Sequence, residues 1–441
     1  MVHNLWHHND DQQTVFEQCL EYAERRDSGM IEVASLLEFN ASAVPSSLPL
    51  SGCVVSVSDA LDVVGFSTRY GVNAKTLHKV PDRSFPLVVW MQSQGARVVG
   101  KLHCGSPLAW NDAFRIKKIH NPHGAALREK CCHVALTSSF VGIAGANGSI
   151  MDDFTAFKPT TSVFPVEEMG FGGTTGSIAI VSKQLDDVNY LWKCYTGEIR
   201  AHSDNDIAPS SPNKNLLRST APRPLKVGYP SQWIDKYCGD RYLAVDFEVK
   251  LKSLCETFLR ADPMRRKKVN HITFVPVDVS LDISNLVPLV DTISTYELAQ
   301  IMHKDRSKSA ITGLMEELPT QIVSRIFDGR KVSEPQYLSA RTVVEDGIHS
   351  AVEEMFTDVD LLCVPLLCEP FQDGNMRSFT TSIPFFMTGN PVVSLHLDKE
   401  LSVLLVGEVG RDSGLLEDAT SFVDQVKGTS PTWWKRKWFG E

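Results

Sequence analysis

Short apolar runs and helix-period segments alternate along almost the whole chain, and that alternation is the strongest constraint on its fold. Cys53-Val54-Val55-Ser56-Val57-Ser58-Asp59 is a strand-like run ending in polar residues. Residues 85–95 follow as an amphipathic helix stopped by Gly95, and Ala96 to Lys101 is again strand-like. Strand, helix, strand in this order predicts a parallel crossover unit. Further strands are expected at 225–228, 272–277, 360–365, 391–395 and 402–406, and helices at 11–26, 183–196, 241–261, 294–327, 334–357 and 415–426. Residues 131–141 read as a short helix leading into a strand that begins at Val141. With no internal repeat and 43% hydrophobic residues in 441, the pattern predicts one large α/β/α domain around a twisted mixed sheet.

The composition bounds the function class. A formal net charge of −9 argues against general nucleic-acid affinity. Ten cysteines are scattered without a CxxC pair, which points to free thiols and an intracellular, reducing compartment. No run of 18 apolar residues is present, so no transmembrane helix is expected. The first residues, MVHNLWHHNDDQQ, match neither a secretory signal nor a transit peptide.

Within this frame, Val141 to Pro159 is the stretch most suggestive of chemistry. An apolar run enters the small-residue turn Gly145-Ala146-Asn147-Gly148, and Ser149 follows. Such a turn can present a serine hydroxyl at a strand end, although many Gly-Ser turns only satisfy local hydrogen bonds.

The order of the segments resembles the amidase signature family of serine amide hydrolases. Residues 50–71, LSGCVVSVSDALDVVGFSTRYG, are similar to the family's early strand and loop. FPLVVWMQSQGARVVGKLH (85–103) resembles its next helix and strand. NGSIMDDFTAFKPT (147–160) resembles the nucleophile turn and the KPT that follows it. FGGTTGSIAIVSKQLDDV (171–188) resembles a later structural segment, and 359–371, 379–395 and 401–419 resemble the last strands and helix. The resemblance covers residues 48–427. It implies three regions: an N-terminal helical extension (1–47), an amidase-like domain (48–427) and a Trp/Lys-rich tail (428–441).

Family members use a Ser-Ser-Lys triad, because a serine hydroxyl attacks only when a base within hydrogen-bond reach takes its proton. The resemblance places Ser149 at the nucleophile and Asn147, Gly148 and Asp152 in the ligand pocket. The base position falls on Ser58, which has no amine. Counting back from Ser149 without gaps puts Ala125 at the bridging serine, and alanine has no hydroxyl. Of the family's glycine turn only Gly124 survives. Losing these groups implies a fall of more than ~10³-fold in acyl-transfer rate. The expectation is therefore a pseudoenzyme acting as a scaffold, complex subunit or ligand-binding protein, without cofactor. The alternative is a divergent amide or ester hydrolase using Ser149, with Lys101, His103 or Asp152 as base.

Other constellations have plainer readings. His120, His123, Cys131, Cys132 and His133 are metal-ligand types, but their spacing fits no standard zinc pattern, so no metal is expected. Gly170 to Ser177 looks like a phosphate cradle but lacks the Lys-Ser/Thr end and reads as a turn. Arg265 to Lys268 reads as a solvated basic run. The tail, Pro431 to Phe439, holds three of eight tryptophans among cations. It suits a groove, a protein partner surface or a membrane interface, or else folds back on its own domain. Self-association is left open.

Overall fold

The computed structural model describes residues 12–25, 30–35, 39, 45, 47–70, 80–103, 122–140, 154–164, 174, 176–198, 224–237, 244–261, 272–303, 308–366, 381–397 and 401–426. In chain order the elements begin with α1 (Gln12–Ala23), β1 (Met30–Val33), β2 (Val54–Ser58), α2 (Pro86–Ser93), β3 (Arg97–Leu102), α3 (Pro122–Arg128), β4 (Val134–Phe140), β5 (Thr155–Lys158) and β6 (Gly176–Ser182). Next come α4 (Leu185–Tyr195), β7 (Leu225–Tyr229), α5 (Ser231–Tyr237), α6 (Ala244–Ala261), β8 (Ile272–Pro276), α7 (Leu286–His303), α8 (Lys308–Glu317), α9 (Thr320–Lys331) and α10 (Glu334–Thr342). A π-helical turn, Val343–Ile348, leads to α11 (His349–Glu354), and β9 (Leu361–Leu366), α12 (Ile383–Met387), β10 (Val392–His396), β11 (Ser402–Val406) and α13 (Asp412–Val426) close the described chain.

The strands form an eleven-stranded mixed sheet in the order β1-β3-β2-β4-β6-β5-β10-β11-β9-β7-β8. The expected crossover is present: β2 and β3 run parallel with α2 between them. The two-residue period of the strands splits the core into two layers. Val393, Leu395, Val403 and Leu405 pack on one face, with α1, α2, α3, α4, α6 and α13. Val392, Leu404 and Val406 pack on the other, with α7, α9, α10 and α12. Strands whose two faces are both apolar must be covered on both sides, which gives the α/β/α architecture the sequence predicts.

Two details depart from the sequence reading or sharpen it. Residues 134–140 form a strand, not a helix: α3 ends at Arg128, Lys130 takes a left-handed φ of 59°, and Val134 to Phe140 then pairs with β2 on one side and β6 on the other. Pairing on both sides overrides the local helical look of the segment. In the helical layer, α9 crosses α7 at Gly329, where an added Cβ would lie 1.9 Å from the Thr295 carbonyl oxygen. A glycine is required there because backbone meets backbone.

The N-terminal segment is built into the same body. Val15, Phe16, Cys19 and Tyr22 of α1 join the core on the first face, and β1 pairs antiparallel with β3 at the sheet edge.

Candidate functional site

Four neighbouring strands bring polar side chains to one end of the sheet. β2 and β4 run parallel. β6 runs antiparallel to β4, with Gly176 opposite Phe140, and β5 runs antiparallel to β6. The ends of β2, β4 and β5 therefore lie beside the start of β6, which gathers Ser58, Ser138, Ser177 and Lys158 along one rim. The chain segment 141–153 leaves from this rim at Phe140. Ser149, Asn147, Gly148 and Asp152 belong to that segment and lie outside the described residues.

Ser58 is fully buried. Its Oγ shares a 3.0 Å hydrogen bond with Ser138 Oγ and accepts from the Ala60 N–H at 3.3 Å. The turn after it is fixed by the Asp59 backbone, whose N–H donates to the Leu102 carbonyl at 2.8 Å and whose carbonyl accepts from Arg69 N–H at 3.1 Å. Lys101, one strand away and fully buried, donates from Nζ to the Leu61 carbonyl oxygen. Ala125 lies inside α3, where it packs against the core.

His103 follows the end of β3, and His123 is buried in α3. Burial first, and the nearby His103 second, push the His123 pKa down to about 3, so His123 is neutral across the physiological range. Among the described residues its Nε2 has no hydrogen-bond partner. The neighbouring thiols and His133 are engaged elsewhere. Cys132 Sγ lies 3.1 Å from Ser56 Oγ, and burial raises its pKa to about 12. Cys131 is raised strongly, first by its hydrogen bond with Cys19 and then by burial. His133 Nδ1 accepts from the Val54 N–H at 3.0 Å. Among the described residues no three His, Cys, Asp or Glu side chains are grouped to hold a metal ion; His120 lies outside them.

Lys158 is the residue whose importance the sequence did not signal. It is 3% exposed and is the one charged residue of a strand that otherwise reads Thr-Ala-Phe. Nζ donates to the Pro159 carbonyl at 2.9 Å and to Thr161 Oγ1 at 3.2 Å. Burial lowers its pKa to about 7, against the upward pull of Asp412. Asp412, at the start of α13, is itself pushed up by burial, while its bonds to Thr160 and its charge pairing with Lys158 pull it down. A lysine inside an apolar run was visible in the sequence, but nothing there showed that it would be buried with no directly bonded carboxylate among the described residues.

Thr174, which the sequence places next to the glycine-rich stretch, is held from within. Glu297 of α7 accepts from the Thr174 N–H at 2.9 Å and from its hydroxyl at 2.5 Å, and also from Tyr337 Oη at 2.9 Å. A carboxylate of the protein thus takes the amide that a bound phosphate would need.

This sheet order, the two helical layers and the rim of strand ends define an amidase-signature-like α/β fold. Solved structures of that kind are similar to this chain over nearly its full length. An amidase shares 16% identity at a TM-score of 0.69, with 94% of this chain and 96% of that one covered. Kluyveromyces lactis allophanate hydrolase shares 15% at a TM-score of 0.68, covering 96% of this chain and 71% of its own. A 6-aminohexanoate cyclic dimer hydrolase complexed with substrate shares 12% at a TM-score of 0.66, with 95% of each chain covered. No family profile and no curated protein sequence matches the chain. Among the described residues no helix is long and apolar enough to cross a membrane.

Proposed function

We propose that this chain is an amidase-like pseudoenzyme, acting as a non-catalytic scaffold, complex subunit or ligand-binding protein. The observation that supports this reading is the Ser58–Ser138 pair. The resemblance puts the family's base at Ser58, and the rim there holds two buried hydroxyls bonded to each other at 3.0 Å. A hydroxyl cannot act as the general base that a serine nucleophile requires. Lys101, the lysine on the adjacent strand, has its Nζ directed to the Leu61 carbonyl.

A fluorophosphonate probe tests this reading. The expected result is no labelling above background. Stoichiometric labelling that disappears in Ser149→Ala would overturn it in favour of a divergent amide or ester hydrolase using Ser149. One observation favours that second reading: Lys158, at the same rim, is an amine able to accept a proton near neutral pH.

The partner reading rests on the Trp/Lys-rich segment 431–439, which lies outside the described residues. If a protein partner docks there, a chain ending at Gly428 loses a partner that co-purifies stoichiometrically with the full chain. Retention of the partner by the shortened chain would remove that segment from the proposal.

A further inference from the structure

α1 is fastened to the body of the protein at the turn after α3. That helix ends in a Schellman motif, with Lys130 in the left-handed conformation at φ 59°. The Lys130 N–H donates to the Leu127 carbonyl at 3.2 Å, and the Cys131 N–H donates to the Ala126 carbonyl at 2.8 Å. Two backbone bonds therefore fix the direction in which Cys131 leaves the helix. Its Sγ stands 3.8 Å from the Gln18 carbonyl oxygen of α1, an atom of the peptide unit that joins Gln18 to Cys19. Both cysteines are free thiols, fully buried in the same apolar cluster, and a hydrogen bond connects them. Just past the end of α1, Arg25 donates to Glu129 of the same turn at 2.6 Å. That ion pair is exposed and holds the helix only weakly.

We propose that Cys19 and Cys131 are a peroxide-responsive thiol pair that closes to a disulfide and locks α1 onto the domain. One sulfur, as its thiolate, attacks an oxygen of hydrogen peroxide. The O–O bond breaks, that sulfur becomes a sulfenic acid, and the other oxygen leaves as water with the thiol's proton. The second sulfur then attacks the first, the S–O bond breaks, and a second water leaves with the second thiol's proton. Two thiols and one peroxide give one disulfide and two waters, with two electrons passing from sulfur to oxygen. The hydrogen bond with Cys19, and then burial, keep the Cys131 thiol protonated while α1 is seated. The reaction therefore runs when α1 opens locally, and closure traps the helix. The bond would close a long loop from α1 to the turn after α3, and so restrict the unfolded chain strongly. Reduced thiols in the surroundings reopen it by exchange. The proposal is independent of whether Ser149 is reactive.

Millimolar hydrogen peroxide on the full chain, then blocking with N-ethylmaleimide and digestion without reductant, tests it by mass mapping of linked peptides. Fragmentation of those peptides separates Cys131 from its neighbour Cys132. The Cys19–Cys131 pair is expected to be the first linkage formed and the most abundant, and to vanish on adding dithiothreitol. The oxidised chain should melt ~5 °C or more above the reduced one. Cys19→Ser and Cys131→Ser should each abolish both effects. The proposal is overturned if another pair of cysteines links first, or if these two thiols stay unlinked while others oxidise. It is also overturned if the linked chain melts at the temperature of the reduced one. The linkage is read in the unaltered protein, so the test does not depend on either variant folding.

Discussion

Asp412 accepts two hydrogen bonds from Thr160, one from its backbone N–H at 2.6 Å and one from its hydroxyl at 2.7 Å, across 252 residues of sequence. The pair ties the start of α13 to the end of β5 and sets a carboxylate near the Lys158 amine. Asp412→Ala leaves a buried N–H and a buried hydroxyl without their acceptor and should cost about 2–5 kcal/mol. Asp412→Asn keeps an acceptor and should cost clearly less. Urea denaturation of the two variants compares them; equal losses, or a loss below about 1 kcal/mol for alanine, would contradict this role.

Lys158 makes stability depend on pH on the alkaline side. Its folded pKa of about 7 lies below the ordinary value of 10.5. Between those limits the unfolded chain binds a proton that the folded chain does not, so stability falls as pH drops from 10.5 to 7 and is flat in this term below. Lys158→Met removes the term. The variant should gain on the parent by about 1.4 kcal/mol for each pH unit lowered within that window. Denaturation series near pH 7, 8.5 and 10 measure the gain, and a constant difference across the series would refute it.

His123 acts in the same sense on the acid side. Its pKa is about 3 when folded, against 6.5 ordinarily, so protons taken up by the unfolded chain below 6.5 weaken the fold. The loss from this residue should reach about 3 kcal/mol by pH 4.5. His123→Leu should match or exceed the parent at neutral pH, since among the described residues Nε2 has no partner to lose. The advantage of the variant should widen on acidification, as read by thermal melts across that range.

The α7–α9 crossing gives a paired test by glycine substitution. Gly329→Ala drives a methyl into the Thr295 carbonyl and should destabilise by about 2–4 kcal/mol through forced separation of the two helices. Gly313→Ala, in α8, meets nothing within 4 Å and should stabilise by about 0.5–1 kcal/mol. Melting temperatures moving in opposite directions would support this; two shifts of the same sign would not.

The elements legible in the sequence were those whose own residues determine them. Val54 to Val57, Leu361 to Leu366 and Val392 to Leu395 are mostly apolar runs buried on both faces, interrupted only by Ser56 and Ser394, so they read as strands without tertiary information. The long helices α6 and α13 showed their period directly. What stayed hidden depends on partners elsewhere. Val134 to Phe140 is a strand because β2 and β6 flank it, and β1, of four residues, exists because β3 offers an edge. At the rim, the resemblance drew attention to Ser58, but its bond to Ser138 joins residues 80 apart. Lys158 gave even less warning, because its pocket is assembled from β5, β6 and the turn after β5, with Asp412 arriving from the far end of the chain.

The edge strand β1 has a consequence for how the protein survives among its own copies. Glu32 and Val33 sit against Lys101 and Gly100, so closely that a Cβ on Gly100 would lie 2.4 Å from the Glu32 carbonyl oxygen. β1 covers backbone donors and acceptors along that side of β3. A chain started at residue 48 would present Arg-Val-Val-Gly-Lys-Leu as an open template for a strand from another molecule. β1 thus covers that edge of β3, and a chain lacking it is expected to show concentration-dependent aggregation first.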